Sequence, residues 1–151
     1  MEKLPFVWKR LVVDGRTCNR CADAFPALQQ ALVKLGASLR PLGIEPVLET
    51  ETIDRTAFAS APAESNRVWI LGKPIGEWLN AGVISSRCCS VCGDAQCRTL
   101  EVAGHAYEAI PEELVVKAGL AAAAQLIAPT GAQAPMQTRA DCCSTSGCCE
   151  P

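Results

Sequence analysis

The sequence has a single histidine, no run of positive charge and no long apolar segment, and each lack removes a class of function. A formal net charge of −2 without a basic stripe argues against a nucleic-acid binder, which would cluster its Lys and Arg. The least polar stretch, residues 118–128, falls well short of the roughly 20 residues that span a bilayer. Glu2-Lys3-Leu4-Pro5 follows Met1 in place of a basic n-region and apolar h-region, so no secretory signal is expected. The expected compartment is the cytoplasm, with no membrane partner. His105 stands beside Gly104 at a turn and reads as a surface residue, not a catalytic base or ligand. No repeat of domain size is present. What remains is a chain of 151 residues, 49% hydrophobic and 20% charged, sufficient for one buried core and a tail.

Against these absences stand ten cysteines. They fall into three groups: Cys18 and Cys21; Cys88, Cys89, Cys92 and Cys97; Cys142, Cys143, Cys148 and Cys149. A disulfide framework is one reading of such a count. The expected compartment and the CxxC and adjacent-pair spacings favour metal capture or thiol exchange.

Residues 10–36 organise the chain. An apolar strand, Leu11-Val12-Val13, leads through a polar loop to Cys18-x-x-Cys21 at a helix start. Phe25, Leu28, Leu32 and Leu35 form one helical stripe, and Gly36 supplies a stop signal. Unpaired N–H groups and the macrodipole at the first turn favour an anion, and Arg16 and Arg20 add positive charge. Cys18 is therefore the expected nucleophile, with Cys21 the resolving partner or a second ligand.

This stretch resembles the thioredoxin superfamily, whose active site runs strand, CxxC, helix. Pro26, five residues after Cys21 inside the helical segment, matches the position of that family's helix-kinking proline. The match is narrower still to a bacterial thioredoxin-like branch with extra cysteines. No Trp precedes Cys18, and Asn19-Arg20 replaces the usual Gly-Pro. The resemblance implies an α/β fold with a central mixed sheet and flanking helices, a thiol–disulfide oxidoreductase chemistry, and a cis-proline near the CxxC. Pro74 and Pro62 are the candidates for that proline, and an ordinary trans proline is the alternative.

Along the chain, residues 2–9 extend the first strand or cover the sheet edge. Residues 44–53 read as a strand with one solvated face, and 54–65 as a short helix and loop. Val68-Trp69-Ile70-Leu71 reads as a buried central strand and Glu77-Trp78-Leu79 as a helical turn. Strands at 99–102 and 105–110 form a hairpin, as at the end of a thioredoxin-like domain. A closing helix follows, with Pro111 at its first position, Glu112 and Glu113 in its first turn, and a stripe of Leu114, Ala118, Ala121 and Gln125 or Leu126. The expected division is a domain over 1–128 with the 88–97 cluster inserted, a linker over 129–141 and a tail over 142–151.

The CxxC turn of Cys89 and Cys92 aims two sulfurs at one centre, with Cys88 before it and Cys97 five residues beyond. A three-sulfur site there suits As(III), Hg(II), Cu(I) or Cd(II), and a structural zinc knuckle is the alternative. In the tail, the vicinal pairs Cys142-Cys143 and Cys148-Cys149 form a thiol claw, since a disulfide between neighbours is strained. They resemble the cysteine pairs of the arsenic metallochaperone and of mercuric reductase. A linker of this length reaches about 20 Å, giving the claw a roughly millimolar local concentration at either inner cluster.

The sequence thus predicts capture or transfer of a thiophilic metal or metalloid, in a detoxification setting, with no organic cofactor. The alternatives are an oxidoreductase built on Cys18 and Cys21 and a zinc-stabilised interaction domain. A thiol reductant or a metal-handling protein is the expected partner.

Overall fold

A computed structural model describes residues 1–87 and 96–128. Its first sheet has the order β2-β1-β3-β4. The strands are β1 (Glu2–Leu11), β2 (Ile44–Ile53), β3 (Arg67–Ile70) and β4 (Lys73–Pro74). β1 pairs parallel with β2 and antiparallel with β3, which pairs antiparallel with β4, so the sheet is mixed. The helices are α1 (Asn19–Leu39), α2 (Arg55–Ser60), α3 (Ile75–Trp78) and α4 (Glu112–Ile127). The α/β class with a mixed sheet and flanking helices is as expected. Among the described residues, no helix is long and apolar enough to cross a membrane.

Residues 2–9 belong to β1 itself, where alternation decides burial. Leu4, Phe6, Trp8 and Leu11 face the core and are fully covered. Pro5 lies one residue beyond the register with β3, where only its carbonyl is used, by the Leu71 N–H. Trp8 stacks on Phe25 of α1 at 5.5 Å between ring centroids, joining strand to helix near Pro26.

Several expectations are corrected. α1 continues through Gly36 to Leu39, and Gly43, at φ +76° after the turn Arg40–Leu42, is the residue that reverses the chain. Leu28 and Leu35 are buried as predicted, with Ala24, Ala31 and Leu39, whereas Phe25 and Leu32 are only partly covered. β3 alternates in burial and is not covered on both faces. Leu71 turns out of it at φ +51°, before Gly72. In α4 the buried face is Val115, Ala118, Gly119, Ala122 and Ala123, while Ala121 and Gln125 are exposed. The helix lies so close to α1 that its smallest residues form the contact. Pro111 is the residue before the first turn and not the first helical position.

The largest correction concerns the hairpin. It does not join the first sheet. With β5 (Gly82–Arg87), which the sequence pattern did not reveal, β6 (Gln96–Val102) and β7 (His105–Tyr107) form a separate antiparallel sheet. Ala103 and Gly104, at φ +50° and +80°, make its two-residue turn. His105 is exposed, as predicted.

Candidate functional site: the dithiol at the start of α1

The site begins with a turn. After β1, Val13 and Arg16 exchange two backbone hydrogen bonds of 2.8 and 2.9 Å across Asp14 and Gly15, both at positive φ. Thr17 then donates its hydroxyl to the Leu11 carbonyl at 2.8 Å, tying the loop to the strand end. Cys18 follows in extended conformation as the cap of α1, and its sulfur accepts the Cys21 N–H at 3.5 Å. The CxxC spacing explains this geometry. Cap and third helical position are three residues apart, so the second cysteine's amide satisfies itself on the first cysteine's sulfur.

Both thiols are buried, Cys18 at 1% and Cys21 at 0% exposure. The Cys21 thiol is held down from 9.0 to about 7, first by its hydrogen bond with Cys18 and then by Ser65, the Leu11 backbone and Thr17, against the opposing effect of burial. Ser65 is fully buried, with its hydroxyl 3.7 Å from the Cys21 sulfur.

Arg20 does not act as predicted. Only 7% exposed, it carries its guanidinium onto the second sheet. Nη2 donates to the Arg87 carbonyl at the end of β5 at 2.5 Å and to Glu108 Oε1 at 2.9 Å, and Nη1 reaches Thr99 Oγ1 at 3.5 Å. Its positive charge is thus engaged by a carboxylate. Beyond this ion pair lies a cavity of about 20 Å³ lined by Asn66, Arg98, Tyr107 and Glu108 among others, room for little more than one water.

Of the predicted metal ligands, Cys97 lies in β6, buried at 2% and in register with Ser86, within the core cluster that includes Cys18 and Cys21. Cys88, Cys89, Cys92, Cys142, Cys143, Cys148 and Cys149 lie outside the described residues, as do the linker and tail. Among the described residues no group of three or more His, Cys, Asp or Glu could hold a metal ion. No peptide bond there is cis; Pro62 opens a 3-10 turn and Pro74 ends β4.

Sequence reasoning missed Ser65, Thr99 and Glu108. Their contacts to Cys21 and Arg20 span 44 to 88 residues, and no local pattern announces them.

Residues 4–119 match the family described as Domain of unknown function (DUF2703), and the chain belongs to it. An uncharacterized protein of Archaeoglobus fulgidus is 40% identical over 113 residues, covering 75% of this chain and 82% of the relative. No solved structure matches.

Proposed function

We propose that the Cys18–Cys21 dithiol is a thiol–disulfide exchange centre in a thioredoxin-like domain. The observation that carries this reading is the pairing itself: a capping sulfur that accepts the other cysteine's N–H, and a second thiol lowered to about 7. A thiol that ionises near ambient pH combines thiolate population with nucleophilicity. The Cys21 thiolate takes the Cys18 proton as Cys18 attacks one sulfur of a substrate disulfide, that S–S bond breaks, and the leaving sulfur carries this proton away as the first substrate thiol. Cys21, deprotonated, then attacks the Cys18 sulfur of the mixed disulfide and releases the second thiol. Two electrons pass to the substrate, and a thiol reductant restores the dithiol. Placement in the thioredoxin superfamily is part of this proposal, supported by the strand–CxxC–helix order and by Pro26 within α1.

Insulin and small-disulfide reduction by wild type and Cys18→Ser tests it. Turnover should vanish in the variant. Negligible turnover in wild type would sink the reading and promote the second one.

That second reading, capture or transfer of a thiophilic ion such as As(III) or Hg(II) in detoxification, is favoured by the other eight cysteines and their paired spacing. Native mass spectrometry of reduced protein, with metals added singly, measures it. A zinc-stabilised interaction domain is the third reading, and whole-domain melting on chelation would favour it.

A further inference from the structure

Arg20 sits between the two cysteines, at the second helical position of α1, with its head almost withdrawn from water. A guanidinium there requires a counter-charge or a full set of acceptors. It has a counter-charge and two neutral acceptors, and all three come from the second sheet and the segment that follows it: the Glu108 carboxylate, the Arg87 carbonyl and Thr99 Oγ1. Glu108 is itself held in place. Asn66 donates Nδ2 to the Glu108 carbonyl at 3.4 Å, and Asn66 Oδ1 accepts the Trp8 Nε1–H at 3.1 Å. Asn66 is the neighbour of Ser65, whose hydroxyl touches Cys21. The Glu108 backbone is therefore tied to the frame that holds the dithiol, and its carboxylate, on a side chain 65% exposed, reaches back to Arg20.

We propose that Glu108 is a positioning residue for the dithiol: by pairing with Arg20 it cancels the cationic charge that the sequence places inside the CxxC turn, and so sets how strongly the pair holds its reduced state. This rests on the exchange reading above. A cation beside a thiolate stabilises it, and a paired cation does so far less.

The consequence is an opposition of sign. Glu108→Gln removes the counter-charge, keeps most of the shape and leaves Arg20 to act on the thiolates, which favours the dithiol. Arg20→Met removes the cation and favours the disulfide. Arg20→Lys retains the charge and should stay near wild type. A purely structural contact would move Glu108→Gln and Arg20→Met in the same direction, since each breaks the same bond.

The test uses the full chain equilibrated in glutathione buffers. The dithiol gives two electrons and two protons to oxidised glutathione, yielding the Cys18–Cys21 disulfide and two glutathione thiols. Peptide mapping then reads Cys18 and Cys21 apart from the other cysteines. Glu108→Gln should shift the equilibrium about threefold to tenfold toward the dithiol, with tenfold equal to about 30 mV for this two-electron couple. Arg20→Met should shift it the other way. Alkylation of Cys18 and Cys21 at neutral pH supplies a second reading: faster in Glu108→Gln, slower in Arg20→Met. Shifts of the same sign in both variants, or no shift in Glu108→Gln, overturn the proposal. If Arg20→Met does not fold, the exposed Glu108 still permits the decisive variant. If wild type never forms the disulfide, the exchange reading fails, and the alkylation rates alone judge the role of Glu108.

Discussion

β1 covers four large side chains completely, whereas β5 leaves Val83 half exposed and Ile84 nearly so. The two sheets are held by different means. The first is a long central strand sandwiched between neighbours and packed on α1 and α4 through apolar contact. The second buries Cys97 and Leu100 of β6 in the shared core and adds polar contacts to α1: Thr99 with Arg20, and Arg20 with Arg87 and Glu108, while Ser86 meets Thr99 at 2.7 Å within the sheet itself. Apolar packing is non-directional and strong in sum, while hydrogen bonds are directional and modest in net worth. The first sheet therefore supplies most of the apolar burial, and the second adds directional contacts beside the dithiol at the seam between them.

The comparison is broken most severely at Gly119. A Cβ there would stand 2.5 Å from Leu35 Cδ1 and 3.0 Å from Phe6 Cζ, so α4 touches the first layer with no room to spare. Gly119→Val should cost about 3 kcal/mol or more, read as a lower denaturant midpoint. A loss under about 1 kcal/mol would mean that α4 can lift away and that the first layer is not the rigid one.

At the seam the expected effect is a pH dependence of stability. Unfolded, Cys21 keeps its proton up to about its ordinary 9.0; folded, it gives it up near 7. Between those values the unfolded chain binds more protons, so stability rises with pH. The contribution is complete above about 9 and absent below about 7, and amounts to no more than about 3 kcal/mol. Unfolding under reducing conditions across that window should show this slope in wild type and lose it in Cys21→Ala. An equal slope in both would place the linked proton elsewhere.

What could be read from the sequence follows the same division. The strand into CxxC into helix, the strand at 44–53 and the stripe through Leu28 and Leu35 were legible, because periodicity and local spacing determine them, whereas the cap role of Cys18 emerged only with the backbone. Gly36 misled because a glycine within a helix and a glycine that ends one look alike until the next turn is known; Gly43 carried the true signal. The small-residue face of α4 was missed because hydrophobic periodicity weighs Leu above Gly and Ala, whereas close helix packing selects the smallest side chains. β5, with four of six residues exposed in a row, has no alternation to detect. Arg20 was read from its neighbours in sequence as a charge for Cys18, and its actual partner lies 88 residues away.

The smallest expected effect sharpens the comparison instead of breaking it. Thr99 is buried at 3% on β6, where its hydroxyl meets Ser86 across the β5–β6 pair and receives Arg20 from α1. Thr99→Val keeps the shape and deletes those bonds, leaving the Ser86 hydroxyl with one partner fewer. The global cost should be about 1 kcal/mol, the usual net worth of such a bond plus the unsatisfied group left behind. Its distribution is more informative than its size. If polar contacts attach the second sheet separately, amide exchange in β5 and β6 should quicken several-fold while amides in β1 and β2 keep their protection. If instead both sheets belong to one cooperative unit, every slow amide should lose the same amount, matching the global change. Uniform loss would refute a separate attachment of the second sheet. Confined loss would locate the weak joint of the fold directly beside Cys18 and Cys21, where a buried dithiol needs an opening to meet its partner.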